Sequence, residues 1–180
     1  NFNGDFHLYT GDLRSAERMK RKAMLLDPLA WVHPKDLGMV LSAQQRYAEA
    51  VAMDQLGAAT GYQGSLNQLL RDQLSLKKYD DAQETFERAC QGKDSQSRLC
   101  LKSKVNLFGG TGRIEEARAA MASLIVKFPP VTSRDYAGHV AAYAHYLDDI
   151  PAATKAMRLA LEDASIGTIM TLLQTNRGAL

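Results

Sequence analysis

Cysteine is scarce in this chain: Cys90 and Cys100 are the only two in 180 residues. A structural zinc site takes about four ligands, usually in close pairs, and two isolated cysteines do not supply them. Two readings stay open for the pair. They are buried thiols packed as small apolar side chains, or they form a disulfide across a helix–helix connection, which belongs to an oxidising compartment. A charge excess is missing too. The net charge of +2 is far from the basic stripe of a nucleic-acid binder, so no nucleic-acid partner is expected. No run of 18 apolar residues occurs, and no membrane span is expected. No segment alternates apolar and polar residues over strand length, so no sheet is expected. A signal peptide and an initiator Met are not seen, and we expect a piece of a longer or processed protein. The expected compartment is the cytoplasm, or the periplasm if the cysteines are bonded.

What the chain does have is a period. Ala16, Ala50, Ala82, Ala117 and Ala153 are spaced by 34, 32, 35 and 36 residues. Three residues before each stands an apolar side chain: Leu13, Tyr47, Tyr79, Ile114 and Ile150. Seven residues after each stands a small or apolar one: Ala23, Gly57, Ala89, Leu124 and Ala160. A fixed period of 20–50 residues is the signature of a stacked repeat array, and such arrays bind other chains on extended surfaces.

Residues 31–61 show the physics of one copy. Pro34 suits the first turn of a helix, where its missing N–H costs little. Leu37, Val40 and Leu41 then recur at helical spacing. Gly38 lies on that stripe; a glycine inside a helix costs about 1 kcal/mol relative to Ala, so a close approach by another helix is expected there. Gln44-Gln45-Arg46 is a polar break, and a second helix runs from Tyr47 to Gly57. Elsewhere Asp27-Pro28 stops a helix. Gly109-Gly110-Thr111-Gly112 reads as a flexible interhelical turn, and Asp148-Asp149 as the capped start of a helix.

These residues carry a resemblance to the tetratricopeptide repeat family. It is strongest in Gly11-Asp12-Leu13-Arg14-Ser15-Ala16 with Leu26-Asp27-Pro28, in Leu37-Gly38 with Tyr47-Ala48-Glu49-Ala50, and in Tyr79-Asp80-Asp81-Ala82 with Phe86 and Ala89. Gly112-Arg113-Ile114-Glu115-Glu116-Ala117 adds a fourth copy. The stretch Leu26-Asp27-Pro28-Leu29, with Gly11-Asp12 ahead of it, is also similar to repeat regions of bacterial cyclase or winged-helix signalling proteins. The resemblance implies an all-α, right-handed superhelix of about five helix hairpins over residues 1–164. Residues 165–180 are expected to form a capping helix and tail. That helix is rich in apolar residues, and its alternative role is a contact with a second subunit in a homodimer.

In this family the first helix of each pair lines a concave groove. By the repeat period, the implied groove residues are Lys35 and Met39, then Asn67 and Arg71, then Lys102 and Asn106, then His139. Lys35, Arg71 and Lys102 give a basic bias that suits a carboxylate or an acidic peptide. Lys102 and Asn106 also match the opening pair of the family's carboxylate clamp for a chaperone tail, but His139 stands where the next Asn belongs, and that ligand is not expected.

No cofactor or metal is expected. The four histidines are scattered, and none neighbours a Cys or Ser in a nucleophile motif. Gly109–Gly112 lacks the Gly-Lys-Ser/Thr ending that holds a nucleotide phosphate. The expected function is a non-catalytic scaffold that binds a peptide or partner protein. The alternatives are a regulatory or sensor domain of a larger bacterial signalling protein, and a self-associating structural adaptor.

Overall fold

The computed structural model describes residues 2–30, 32–60, 63–132, 135–136, 139–140 and 142–162. Among these residues all regular structure is helical and no strand occurs. None of the helices is long and apolar enough to cross a membrane. The expected capping helix at 165–180 lies outside the described residues. The chain divides into two compact units, Asn1–Gln91 and Gly92–Leu180.

The first unit is six helices in sequence: α1 (Phe2–Thr10), α2 (Leu13–Leu26), α3 (Val32–Ala43), α4 (Tyr47–Ala59), α5 (Gln63–Ser75) and α6 (Tyr79–Cys90). Each packs against the next, and α3 also touches α5. Leu8, Ala16 and Val40 form one buried cluster, and Leu37, Leu41 and Ala50 form another, with Met24 and Met53 packed against it. In the second unit α7 (Arg98–Gly110) and α8 (Ile114–Lys127) are followed by a π-helical turn at Ala142–Tyr146 and by α9 (Ile150–Glu162). Its main cluster joins Leu101, Val105, Ala117, Met121, Leu124 and Leu147.

The five periodic alanines do what their spacing implies. Ala16, Ala50, Ala82 and Ala117 are fully buried, and Ala153 nearly so. Small side chains at these points let paired helices approach. A second regularity appears only in the backbone. Five residues before each alanine the chain enters the left-handed region: Gly11, Gln45, Lys77, Gly112 and Asp148, with φ of 89°, 61°, 59°, 80° and 48°. In three copies the next amide bonds back five residues in the Schellman pattern that closes a helix: Arg46 N–H to Leu41 O, Lys78 N–H to Gln73 O, and Arg113 N–H to Phe108 O. In the last copy the π-helical turn adds a residue, and Asp149 N–H reaches Tyr143 O instead. Part of the stretched final interval of 36 residues is taken up there.

Side-chain caps follow the sequence. Asp12 accepts from Ser15 N–H at 3.1 Å at the start of α2, and Asp149 accepts from Ala152 N–H at 2.9 Å at the start of α9. One expectation is corrected: Gly109 and Gly110 are not part of the loop but the last two residues of α7. Gly109 is a contact point. A Cβ added there would lie 2.4 Å from Tyr146 Cβ, so glycine lets the π-helical turn sit against α7. The cysteines are resolved as well. Cys90 and Cys100 are both disulfide-bonded, which leaves the buried-thiol reading aside.

Candidate functional site

Helical spacing sets the faces of α3 and α5. Lys35, Met39 and Ser42 recur at i, i+4 and i+7 along α3, and Asn67 and Arg71 at i and i+4 along α5. All five side chains are partly exposed. All of them except Ser42 are groove residues expected from the sequence in this unit, and the contact between α3 and α5 sets their two helices side by side. Lys35 Nζ lies 3.3 Å from Asp36 Oδ1, and Asp36 in turn accepts from the buried Lys20 at 2.7 Å. Lys20 comes from α2 and is 1% exposed; Asp5 of α1 is its second partner.

Beneath this face lie two carboxyls that the sequence reading did not single out as functional. Asp54 on α4 is fully buried, and Asp72 on α5 is 2% exposed. Asp72 is well supplied with donors. Ser42 Oγ–H donates to it at 2.6–2.7 Å, and the Gln68 amide lies 3.3 Å from both of its oxygens. Asp54 has no hydrogen-bond partner on either oxygen. Its carboxyl packs on Gly38, where a Cβ would fall 2.4 Å from Asp54 Oδ1. Burial pushes the Asp54 carboxyl up, and the neighbouring Asp72 pushes it further, to about 9, against the pull of Arg71 and Lys35. Burial also raises Asp72, while its hydrogen bonds hold it down.

A signal for these residues existed in the repeat. Four residues after the periodic alanine the later copies carry Phe86, Met121 and Met157, whereas the first two carry Lys20 and Asp54. A charge where the period places an apolar side chain marks a core position converted to polar use. Asp5, Lys20, Asp36, Lys35, Asp54, Asp72 and Arg71 thus form a run of ionisable groups from α1 to α5.

In the second unit Lys102 and Asn106 sit one turn apart on α7 and are partly exposed. His139 is only 7% exposed. Burial holds its imidazole below the usual value, and the nearby Lys102 charge lowers it further. The structure therefore brings Lys102 and His139 together but gives the His ring little surface. Asp135, which acts on the same ring, is fixed by Arg98 at 3.1 Å and by Thr132.

The turns of the first two hairpins enclose an open cleft lined by Gly11–Arg14, Glu17, Gln44 and Arg46. Arg46 there is taken up by Glu17 at 2.7 Å and by Glu49, and the Gln44 amide by Leu13 O and Glu17. Arg46, Glu17 and Gln44 thus satisfy one another across the two hairpins. Among the described residues no group of three His, Cys, Asp or Glu side chains is placed to hold a metal.

No family model matches the chain, and no curated protein matches it. Among solved structures it is similar to YrrB, described as a TPR protein with an unusual peptide-binding site. The likeness has a TM-score of 0.52 and 18% identity, and covers 94% of this chain and 86% of that one. It shows the fold.

Proposed function

We propose that this tetratricopeptide-repeat fold serves as a non-catalytic interaction module, and that the α3/α5 face of its first unit captures an acidic peptide segment of a partner protein. The observation that carries the reading is the placement of Lys35 and Arg71, both partly exposed, on two helices in contact. Met39 and Asn67 lie beside them, one apolar and one able both to donate and to accept. Cations with an amide neighbour suit carboxylates through charge-assisted hydrogen bonds. Extended surfaces of this kind read a peptide by its backbone and a few anchors. The peptide-binding site reported for YrrB supports a peptide as the class of partner. Lys102 and Asn106, with the buried His139 behind them, are proposed as a second contact patch on the other unit. The setting that fits best is a bacterial regulatory or assembly protein of which this chain is the recognition part.

The test is affinity for an acidic peptide, measured by fluorescence anisotropy on the wild type and on a Lys35→Ala/Arg71→Ala variant. Two lost charge-assisted contacts should weaken binding about tenfold or more, since each tenfold step is about 1.4 kcal/mol. Folding should change little, because charges near the surface contribute little to stability. Unchanged affinity in a folded variant would remove the reading.

A further inference from the structure

We infer that Asp54 and Asp72 hold one proton between them at neutral pH, with Asp54 as the acid donating to the Asp72 carboxylate, and that this pair latches α4 to α5 until alkaline pH removes the proton.

An ionised carboxylate only accepts. Asp72 already accepts from Ser42 and Gln68, so it is the member equipped to stay charged. Asp54 is fully buried and no donor reaches either of its oxygens. As a carboxylate it would be a buried charge with no hydrogen bond, the costliest state a polar group can take. As a carboxylic acid it gains an O–H, and the neighbouring acceptor is Asp72. One proton thus settles both side chains: it neutralises the orphan and gives the second carboxylate a third donor. The same asymmetry appears in their electrostatics, where contact with Asp72 raises Asp54 while contact with Asp54 lowers Asp72.

The surrounding charges do not dissolve the pair. Lys35 from α3 and Arg71 from α5 both favour the ionised form of Asp54, yet burial outweighs them. Asp36 on α3 is engaged by Lys20 and Lys35. Across α5, the charged residues of α6, namely Asp80, Asp81, Glu84, Glu87 and Arg88, are exposed to solvent. Gly38 completes the device, since a side chain there would occupy the space of the Asp54 carboxyl.

The sign of the pH dependence follows. An unfolded Asp loses its proton near about 3.9, whereas the folded Asp54 keeps its proton to about 9. Between these values the folded state binds one proton more than the unfolded state. Stability therefore falls as pH rises, by up to about tenfold in the folding equilibrium per pH unit, and the fall stops once the folded group has titrated. From pH 7 to 9 this pair is isolated from the other shifted groups. The buried His139 acts below its ordinary value of about 6.5, and Lys20 and Tyr143, both raised, act above about 10.

The test uses the whole chain and an Asp54→Asn variant, whose amide mimics the donor of the protonated acid. Urea unfolding at pH 7, 8 and 9 should show the wild type weakening with pH at a slope near one proton, and the variant with that slope removed. Infrared difference spectra supply the second readout. A protonated-carboxyl stretch should be present in the wild type at pH 7, fade toward pH 9.5, and be missing from Asp54→Asn. A full slope retained in the variant overturns the proposal. So does a wild type at pH 7 without the carboxyl band, or a band that survives the substitution. If the variant does not fold, the wild-type infrared titration decides by itself.

Discussion

Gly38→Ala is the substitution whose sign depends most on the buried acid. On helix propensity it should stabilise, because alanine in a helix interior is favoured over glycine by about 1 kcal/mol. The structure reverses that expectation. The new Cβ would stand 2.4 Å from Asp54 Oδ1 and 3.1 Å from its Cγ, closer than real side chains pack, with Ala50 O at an ordinary 3.6 Å. The obstacle is a short side chain in a fully buried site, so it cannot swing into solvent. Overpacking of this kind costs about 1–3 kcal/mol, and displacing Asp54 also parts it from Asp72. The net effect should be a loss of about 1–2 kcal/mol after the propensity gain is subtracted. In an Asp54→Ala background the obstacle is gone, and the same Gly38→Ala change should become neutral or stabilising by up to about 1 kcal/mol. Urea unfolding of the four proteins in the cycle gives the coupling directly, and a value of about 2 kcal/mol is expected for two residues in contact. A Gly38→Ala effect of the same size in both backgrounds would refute the reasoning, because it would mean that Asp54 does not fill the space beside Gly38.

Two other substitutions follow from the same structure. Lys20→Met removes one of the two cations beside Asp36, which Lys35 still reaches, and should cost about 1–3 kcal/mol, while Lys20→Met with Asp36→Asn should recover part of that loss; thermal melts of the two proteins decide. Gln45 and Lys77 are exposed and hold left-handed backbone, with φ of 61° and 59°. Because that conformation strains an L-residue by about 1–2 kcal/mol, Gln45→Gly and Lys77→Gly should each stabilise by a few tenths to about 1 kcal/mol after the glycine's larger unfolded-state entropy is counted. A loss in both would contradict the shared turn geometry.

The hairpin architecture was legible in the sequence because packing imposes it at fixed positions. The period of Ala16, Ala50, Ala82, Ala117 and Ala153 reports helix contacts, and all five are buried where the spacing put them. The cap at Asp149 was readable from short-range chemistry. Gly109-Gly110 misled because glycine serves equally for a turn and for a close approach, and only the Tyr146 side chain distinguishes the two. The left-handed turn residues escaped for the opposite reason: Gln45 and Lys77 bear no mark of their conformation. Lys35, Met39, Asn67 and Arg71 were placed in a groove by period alone, and in the structure they lie partly exposed on helices in contact. His139 was placed the same way but is buried. The acid pair was hidden because one carboxyl comes from α4 and the other from α5, and their meeting depends on how the second hairpin packs against the helix that follows.

The most direct test of the account is an acidic peptide titrated into the labelled protein, with amide NMR shifts followed residue by residue. Shifts should be concentrated at Lys35, Met39, Asn67 and Arg71, and should be lost in the Lys35→Ala/Arg71→Ala variant. Shifts confined to the exposed sides of α4 and α6, or shifts at α3 and α5 that persist unchanged in that variant, would contradict it.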